Sequence, residues 1–417
     1  MKEDRLLFIF FPALIAAFIV TALVIEGGAA FTGFLRLQLQ PARLINDFFM
    51  TAGIAAALMN SAAVGLVGFI IITATKTRLS GPTFAAIFTM MGFGLFGKTP
   101  LNILPIIAGV FLASRYALKT FKEYIIIALF GTALGPLVSA IAFELGLPAV
   151  FAIPAGIAGG LVAGFFLPAL AVSILNLHQG YNLYNMGMTC GFFSLFAAAL
   201  IKAGGHQLAA DSYWYSEPSS FLPFVIPVIS ALMIIIGLLS GPGKSLRSFV
   251  KIQSKDGRLP SDFIDMTSAA GAFINSGMIG IIGSAYILMI GGDFNGPIIG
   301  GLLTIMGFAA FGTHLKNSWP VVAGVITAAL IFRMPLTSPG VQLAAIFCTT
   351  LSPIAGQFGI LPGLIAGFLH MLMVSQTGSW QGAMNLYNNG FSGGLTAAFI
   401  VAVVQWYRSN RKDNKFK

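Results

Sequence analysis

Apolar positions along this chain gather into long uninterrupted blocks separated by short polar connections, with no sustained alternation. The first half has blocks near 6–26, 51–75, 82–97, 101–118, 124–146, 150–175 and 188–203. The second has them near 221–241, 267–291, 297–312, 318–332, 339–359, 361–379 and 391–407. Runs of about 16 to 26 apolar residues suit helices that cross a bilayer; barrel strands alternate and are shorter. In lipid each backbone polar group must be paired within the protein, and a helix achieves this alone.

The blocks repeat. An offset of 215 carries NSAAVGLVG at 60–68 onto NSGMIGIIG at 275–283, and it carries Pro12 onto Pro227. It also carries Asp47-Phe48 onto Asp262-Phe263, Gly81-Pro82 onto Gly296-Pro297, and Phe96-Gly97 onto Phe311-Gly312. Asn102, Pro105 and Gly109 fall on Asn317, Pro320 and Gly324. Later the offset becomes 203, where NLYNMG at 182–187 answers NLYNNG at 385–390. Such a register marks a duplication, with one membrane repeat over 1–205 and a second over 206–417. The expected fold is all-α: a polytopic membrane helix bundle of two homologous halves.

Composition agrees. Hydrophobic residues are 57% of the 417 and charged residues 9%, and the mean hydropathy is +0.89. A water-facing surface needs about 25% charged residues, so the exterior is lipid. The net charge of +10 sits in clusters beside helix ends, which points away from nucleic acid. Lys244, Arg247, Lys251, Lys255 and Arg258 share one connection, and Arg408, Arg411, Lys412, Lys415 and Lys417 share the tail. The positive-inside rule puts both clusters in the cytoplasm, and both termini with them. The run Leu6–Ile25 has no cleavage site and recurs later, so it reads as a retained helix. The expected location is a cell membrane, as a multi-pass protein of a bacterial inner or plasma membrane.

An odd number of crossings per half would invert the second half relative to the first. The aromatic stretch DSYWYSE at 211–217 then lies outside, with Glu144 and Asp293, while Lys76, Arg78, Lys119 and Lys122 lie inside. Arg36, Arg43 and Arg333 fall on the outer side against the rule. Inverted repeats with broken or re-entrant helices are a common transporter construction. Parity hangs on the third block, since 16 residues span about 24 Å, short of a core of about 30 Å. If the third and fourth blocks form one crossing, parity is even and the inversion fails.

Three duplicated polar features are candidate chemistry. FGKTPLN at 96–102 and FGTHLKN at 311–317 break the helix and bring Lys98, Asn102, His314, Lys316 and Asn317 into apolar surroundings. Broken helices with bare backbone dipoles form transporter sites, and intramembrane cations are functional hypotheses by default. The bland alternative is a surface loop. Asn182, Tyr184 and Asn185, with Asn385, Tyr387 and Asn388, lie in the second feature and offer amide and phenol donors; here the alternative is a capped turn. Asn60-Ser61 and Asn275-Ser276 lie inside helices, lining a pathway or joining helices.

The expected function is a channel or transporter for a small polar solute, neutral or anionic, with its pathway between the halves. An ion-coupled secondary transporter using Asp47 and Asp262 is an alternative, and an intramembrane enzyme acting on lipid through His178 or His314 is another. No HExxH stretch occurs, and Cys190 and Cys348 lie in apolar blocks, so no enzyme activity, cofactor or metal is expected. The expected partners are the lipid bilayer and the solute, with a homo-oligomer left open.

The LYNxG stretches and the NS-x-x-x-G helices resemble a family of duplicated bacterial membrane proteins defined as a domain of unknown function. That resemblance covers nearly the whole chain and implies architecture without activity. A fainter likeness is to urea transporters, which carry a Tyr-Asn-Gly stretch in each of two inverted halves. Tyr184-Asn185-Met186-Gly187 and Tyr387-Asn388-Asn389-Gly390 are similar to it with one residue inserted, whereas Asn60-Ser61 lacks the proline of the Asn-Pro-x-Ser/Thr-Gly stretch.

Overall fold

The duplication predicted from the register reappears helix for helix. The computed structural model describes residues 2–208 and 212–413. Asp211 of the aromatic stretch and Lys415 and Lys417 of the tail lie outside the described residues, as do the side chains of Arg411 and Lys412. The first half comprises α1 (Lys2–Glu26), α2 (Ala29–Leu37), α3 (Phe48–Ala52), α4 (Ile54–Ala74) and α5 (Gly81–Phe93). It continues with α6 (Pro100–Tyr116), α7 (Phe121–Gly131), α8 (Gly135–Phe143), α9 (Ala149–His178) and α10 (Asn185–Ala203). The second half repeats these as α11 (Leu222–Leu239), α12 (Pro242–Ile252), α13 (Phe263–Met266), α14 (Ala269–Met289) and α15 (Gly296–Phe308). Then follow α16 (Leu315–Ile331), α17 (Pro339–Phe347), α18 (Ser352–Phe358), α19 (Ile360–Trp380) and α20 (Asn388–Asp413). No strand occurs among the described residues.

Among the described residues ten spans are long and apolar enough to cross a bilayer, five in each half: α1, α4, α7 with α8, α9 and α10, and their counterparts. The shorter helices α5 and α6 form a hairpin. Lys122 Nζ, in the first turn of α7 beyond the end of α6, donates to the carbonyl of Lys76 in the α4–α5 connection (3.0 Å), so both ends of the hairpin sit at one face. This is the basic face, where Arg78 pairs with Asp265 (2.9 Å) and Arg258 binds the Gln179 carbonyl (2.8 Å). The third and fourth blocks are therefore not one crossing. Five crossings and a hairpin per half leave parity odd, and the halves are inverted repeats.

The hairpin turns because its sequence supplies both caps and a break. Ser80 and Thr83 cap α5, and Thr99 and Asn102 cap α6 through a reciprocal box with proline in its first turn. Between them Gly97 takes φ +102°, a conformation that a side chain would strain. The tip of the hairpin ends level with Asn60, the seventh residue of α4. That is about 9 Å short of the far end of α4 at 1.5 Å per residue, so the hairpin is re-entrant. The α15–α16 hairpin enters from the other face. Its α15 runs antiparallel to α5 at the centre, and a Cβ on Gly92 would overlap the carbonyl oxygen of Gly300. Each hairpin also packs on a long helix through small residues. A Cβ on Gly109 would lie 2.9 Å from Gly164 Cα, and one on Gly324 would lie 3.0 Å from Gly367 Cα. Exposed Val24, Val172, Leu200 and Leu239 meet lipid on the outside of the bundle.

Each half caps the hairpin of the other. Asp262, which caps α13, takes the Gly81 amide at the start of α5 through both oxygens (3.1 and 3.0 Å). Asp47, which caps α3, bonds the Phe49 and Tyr215 amides (2.9 and 3.0 Å) and that of Gly296 at the start of α15. Negative charge at these helix starts is favourable. Burial outweighs the three amides, however, and raises the Asp47 carboxyl from 3.8 to about 7. Between those values the folded protein holds a proton that the unfolded chain has released. The contribution is thus greatest below about pH 4 and is lost as pH rises toward 7. Asp47→Asn is expected to remove that slope from the pH dependence of the melting temperature in detergent. Parallel profiles for the variant and the unaltered protein would refute it.

Arg43 and Glu144 form an ion pair on the face opposite the basic one (2.5 Å), which accounts for one arginine that breaks the charge rule. Nothing in the structure explains Arg36 or Arg333.

Candidate functional site

The sequence candidates divide by what their polar atoms touch. Asn60 Nδ2 donates to the carbonyls of Gly94 and Lys98 (both 2.7 Å), while its oxygen accepts from Gln38 (3.2 Å). Asn275 does the same with Ala309 (2.7 Å), Thr313 (2.9 Å) and Gln253 (2.9 Å). These amides pin the hairpin tips, whose carbonyls have no helical partner. Ser61 Oγ donates to the Met91 carbonyl (2.6 Å), whereas Ser276 Oγ is buried without a partner. Asn102 and Asn317 cap α6 and α16 and reach the Gly97 and Gly312 carbonyls (both 3.0 Å). Asn182 Nδ2 reaches across the halves to the Gly390 carbonyl (2.9 Å), and Asn385 Nδ2 reaches the Gly187 carbonyl (3.1 Å). All six asparagines serve the frame.

The cations part company as well. Lys316 is exposed near the basic face. His314 caps α16 and contacts the Lys255 carbonyl there (2.7 Å). Only Lys98 enters the centre. It is fully buried, and its Nζ donates to Thr132 Oγ1 (2.7 Å) and Tyr387 Oη (2.5 Å). It also lies 4.7 Å from the Tyr387 ring centroid and 5.6 Å from that of Phe93. Thr132 is the middle residue of the span Phe121–Phe143, so this amine nitrogen stands at mid-depth in the bilayer, although its backbone lies on the hairpin tip.

Around it the two halves interlock about their pseudo-two-fold axis. Tyr387 of the second half packs on Phe93 and Phe130 of the first (centroids 4.8 and 6.5 Å). Tyr184 of the first packs on Phe308 and Phe347 of the second (4.4 and 6.2 Å). Phe93 with Phe347 (5.7 Å) and Phe130 with Phe308 (5.6 Å) close the layer. The six rings form a septum across the centre. Its two ends differ: Tyr387 is held by Lys98, whereas the buried hydroxyl of Tyr184 has only Thr349 as a polar neighbour and makes no hydrogen bond of ordinary geometry. Thr313 replaces Lys98 in the second half.

A cavity adjoins the septum on each side. One, of about 380 Å³, opens between Leu259, Pro260 and Ser261 near the basic face and is lined by Phe311, Leu183, Asn185, Tyr184 and Tyr387. The other, of about 560 Å³, opens between Leu44, Ile45 and Arg333 at the opposite face and is lined by Phe96, Leu386 and Asn388. These linings are repeat images: Leu44 matches Leu259, Phe96 matches Phe311, Leu183 matches Leu386, and Asn185 matches Asn388. Phe347, Leu386 and Asn389 border both cavities. Asn185 shares its oxygen with His178 Nε2 (2.9 Å), and Asn388 accepts from Thr377 (2.7 Å) and Gln381 (2.9 Å).

Missing from the sequence candidates are Thr132 and the four phenylalanines. The signal for Thr132, Phe130 and Phe347 was the motif T-x-L-[GS]-P, at 132–136 and 349–353, with the phenylalanine two positions before it, while Phe93 and Phe308 pair at the offset of 215. The motif breaks α7 from α8 and α17 from α18 at the 3₁₀ turns Thr132–Leu134 and Cys348–Leu351. Its offset of 217 matches neither of the two registers read above.

No curated protein and no solved structure matches the chain. One family model does, twice, over residues 27–203 and 242–406, with one match in each inverted half. The chain therefore belongs to the family described as "Protein of unknown function (DUF1576)".

Proposed function

We propose that this membrane protein is a transporter for a small polar solute, neutral or anionic, that moves between the two image-related cavities. The carrying observation is the closed aromatic septum between a cavity at one face and its repeat image at the other. Inverted repeats exchange conformations by rocking about a central site, so each half can adopt the other's arrangement. A continuous pore would need no septum. Lys98 at mid-depth supports a preference for negative charge, because an unpaired cation there is costly to retain without a task. The basic face is assigned to the cytoplasm of a cell membrane by the positive-inside rule. Side chains that hold a solute without reacting with it suffice for this function, and no enzymatic step is proposed.

Purified protein in proteoliposomes tests it by flux of labelled small organic solutes down an imposed gradient. Lys98→Met and Tyr387→Phe each remove part of a charge-assisted hydrogen bond, and flux is expected to fall about 10- to 100-fold. Flux that persists at the original rate in both variants, or in Asn185→Ala and Asn388→Ala, would sink the proposed pathway. Repeating uptake without a sodium or proton gradient separates coupled from passive movement.

A further inference from the structure

We infer that the solute is a small carboxylate with an apolar body, its anionic oxygens received at the tyrosine end of the basic-face cavity. This deepens the transport reading and rests on it for what happens after binding. Three independent features support it. First, Lys98 has hydroxyl partners and no carboxylate among them. Both carboxylates nearest the hairpin starts, Asp47 and Asp262, are bound to helix amides at the faces. A lysine buried without a counter-charge carries its proton only at a cost, which a bound anion would offset. Second, Tyr184 lines the same cavity, and its buried hydroxyl, which has Thr349 as its polar neighbour, makes no hydrogen bond of ordinary geometry although only 6% of the residue is exposed. An anionic oxygen would accept from it. Third, most of the rest of the wall is apolar, with Ile126, Ile127, Leu175, Leu183 and Met186 among its residues and Thr89, Asn185, Ser261, Thr304 and Asn389 as the polar exceptions. A small hydrated inorganic anion gains nothing there, whereas a short hydrocarbon or aryl group would be removed from water.

The geometry also divides the labour. Nζ stands one ring behind the wall, since Phe93 and Tyr387 lie between it and the cavity. Lys98 therefore acts as the charge, through the Tyr387 oxygen to which it donates. Tyr184 acts as the direct donor. A volume of about 380 Å³ is at the small end for organic ligands, which commonly occupy about 300–1,000 Å³. Butyrate, hexanoate and benzoate are suitable probes, each with its amide as the uncharged isostere.

Binding is read from the shift in melting temperature of the detergent-purified full chain and from competition against labelled benzoate. Acids are expected to bind at least about 10-fold more tightly than their amides. Lys98→Met should abolish that preference while the protein stays folded, because methionine fills the volume without a charge. Tyr184→Phe, which deletes only that hydroxyl, should weaken acids about 10-fold and leave amides unchanged. Equal affinity for acid and amide, or an acid preference that survives Lys98→Met, would overturn the inference. So would the same stabilisation by chloride or inorganic phosphate, which have no apolar body. Acid binding without flux would refute transport and leave the site standing. Flux of the amides without acid preference would do the reverse.

Discussion

Gly92→Val and Gly300→Val are each expected to leave almost no folded protein. The two residues face one another where α5 crosses α15, and a Cβ on either would overlap the carbonyl oxygen of the other. Overpacking costs about 1–3 kcal/mol when side chains can yield. Here the obstructing atom is backbone, and the helices that must part are the fully buried centre of both halves. The cost is then on the order of 5 kcal/mol, comparable with the net stability of many domains. Gly28→Ala is the control, since nothing lies within 4 Å of its Cβ position. The yield of monodisperse protein on size exclusion reads the outcome. A Gly92→Val variant recovered like Gly28→Ala would mean that the helices do not cross there.

Asn60→Ala is the second large effect, with Asn275→Ala as its image. Each strands two carbonyls at a hairpin tip and the glutamine amide that pointed at the asparagine. Interhelical hydrogen bonds in membranes often contribute only about 0.6 kcal/mol, because the freed groups find other partners. At these tips the partners are gone: Gly94 and Lys98 follow the last turn of α5, and their surroundings are apolar. An unsatisfied buried group costs about 1–3 kcal/mol, so about 3 kcal/mol in all is expected. Unfolding of the purified variants in detergent measures it. Asn60→Ala with unchanged stability would return this residue to the list of solute-binding candidates.

The two expected losses concern residues that were visible in the sequence for different reasons. Asn60 stands in the duplicated register read from the sequence, and so does Gly92, whose partner at the offset of 215 is Gly307. The register could not say that Asn60 would serve a turn while Tyr184 would face a cavity. Both are polar residues in apolar blocks, and only the position of a neighbouring carbonyl separates them. Lys98 and Lys316 illustrate the same limit: three residues beyond the image of Lys98, Lys316 emerges at a face, whereas Lys98 turns toward the centre.

Hydrophobic blocks, scarce charge and the offsets of 215 and 203 were sufficient by themselves to determine an all-helical, duplicated membrane protein, because lipid imposes those requirements on every residue along the chain. The sequence also located both hairpin breaks, through glycine, proline and capping residues that act within a few positions. Parity was decided only by tertiary structure, when the Lys122–Lys76 contact joined the two ends of the hairpin. Tertiary structure alone likewise assembled the septum, from rings separated by as many as 294 positions in the chain. Their meeting depends on helices crossing in three dimensions, and no local pattern encodes which face of a helix will find which partner.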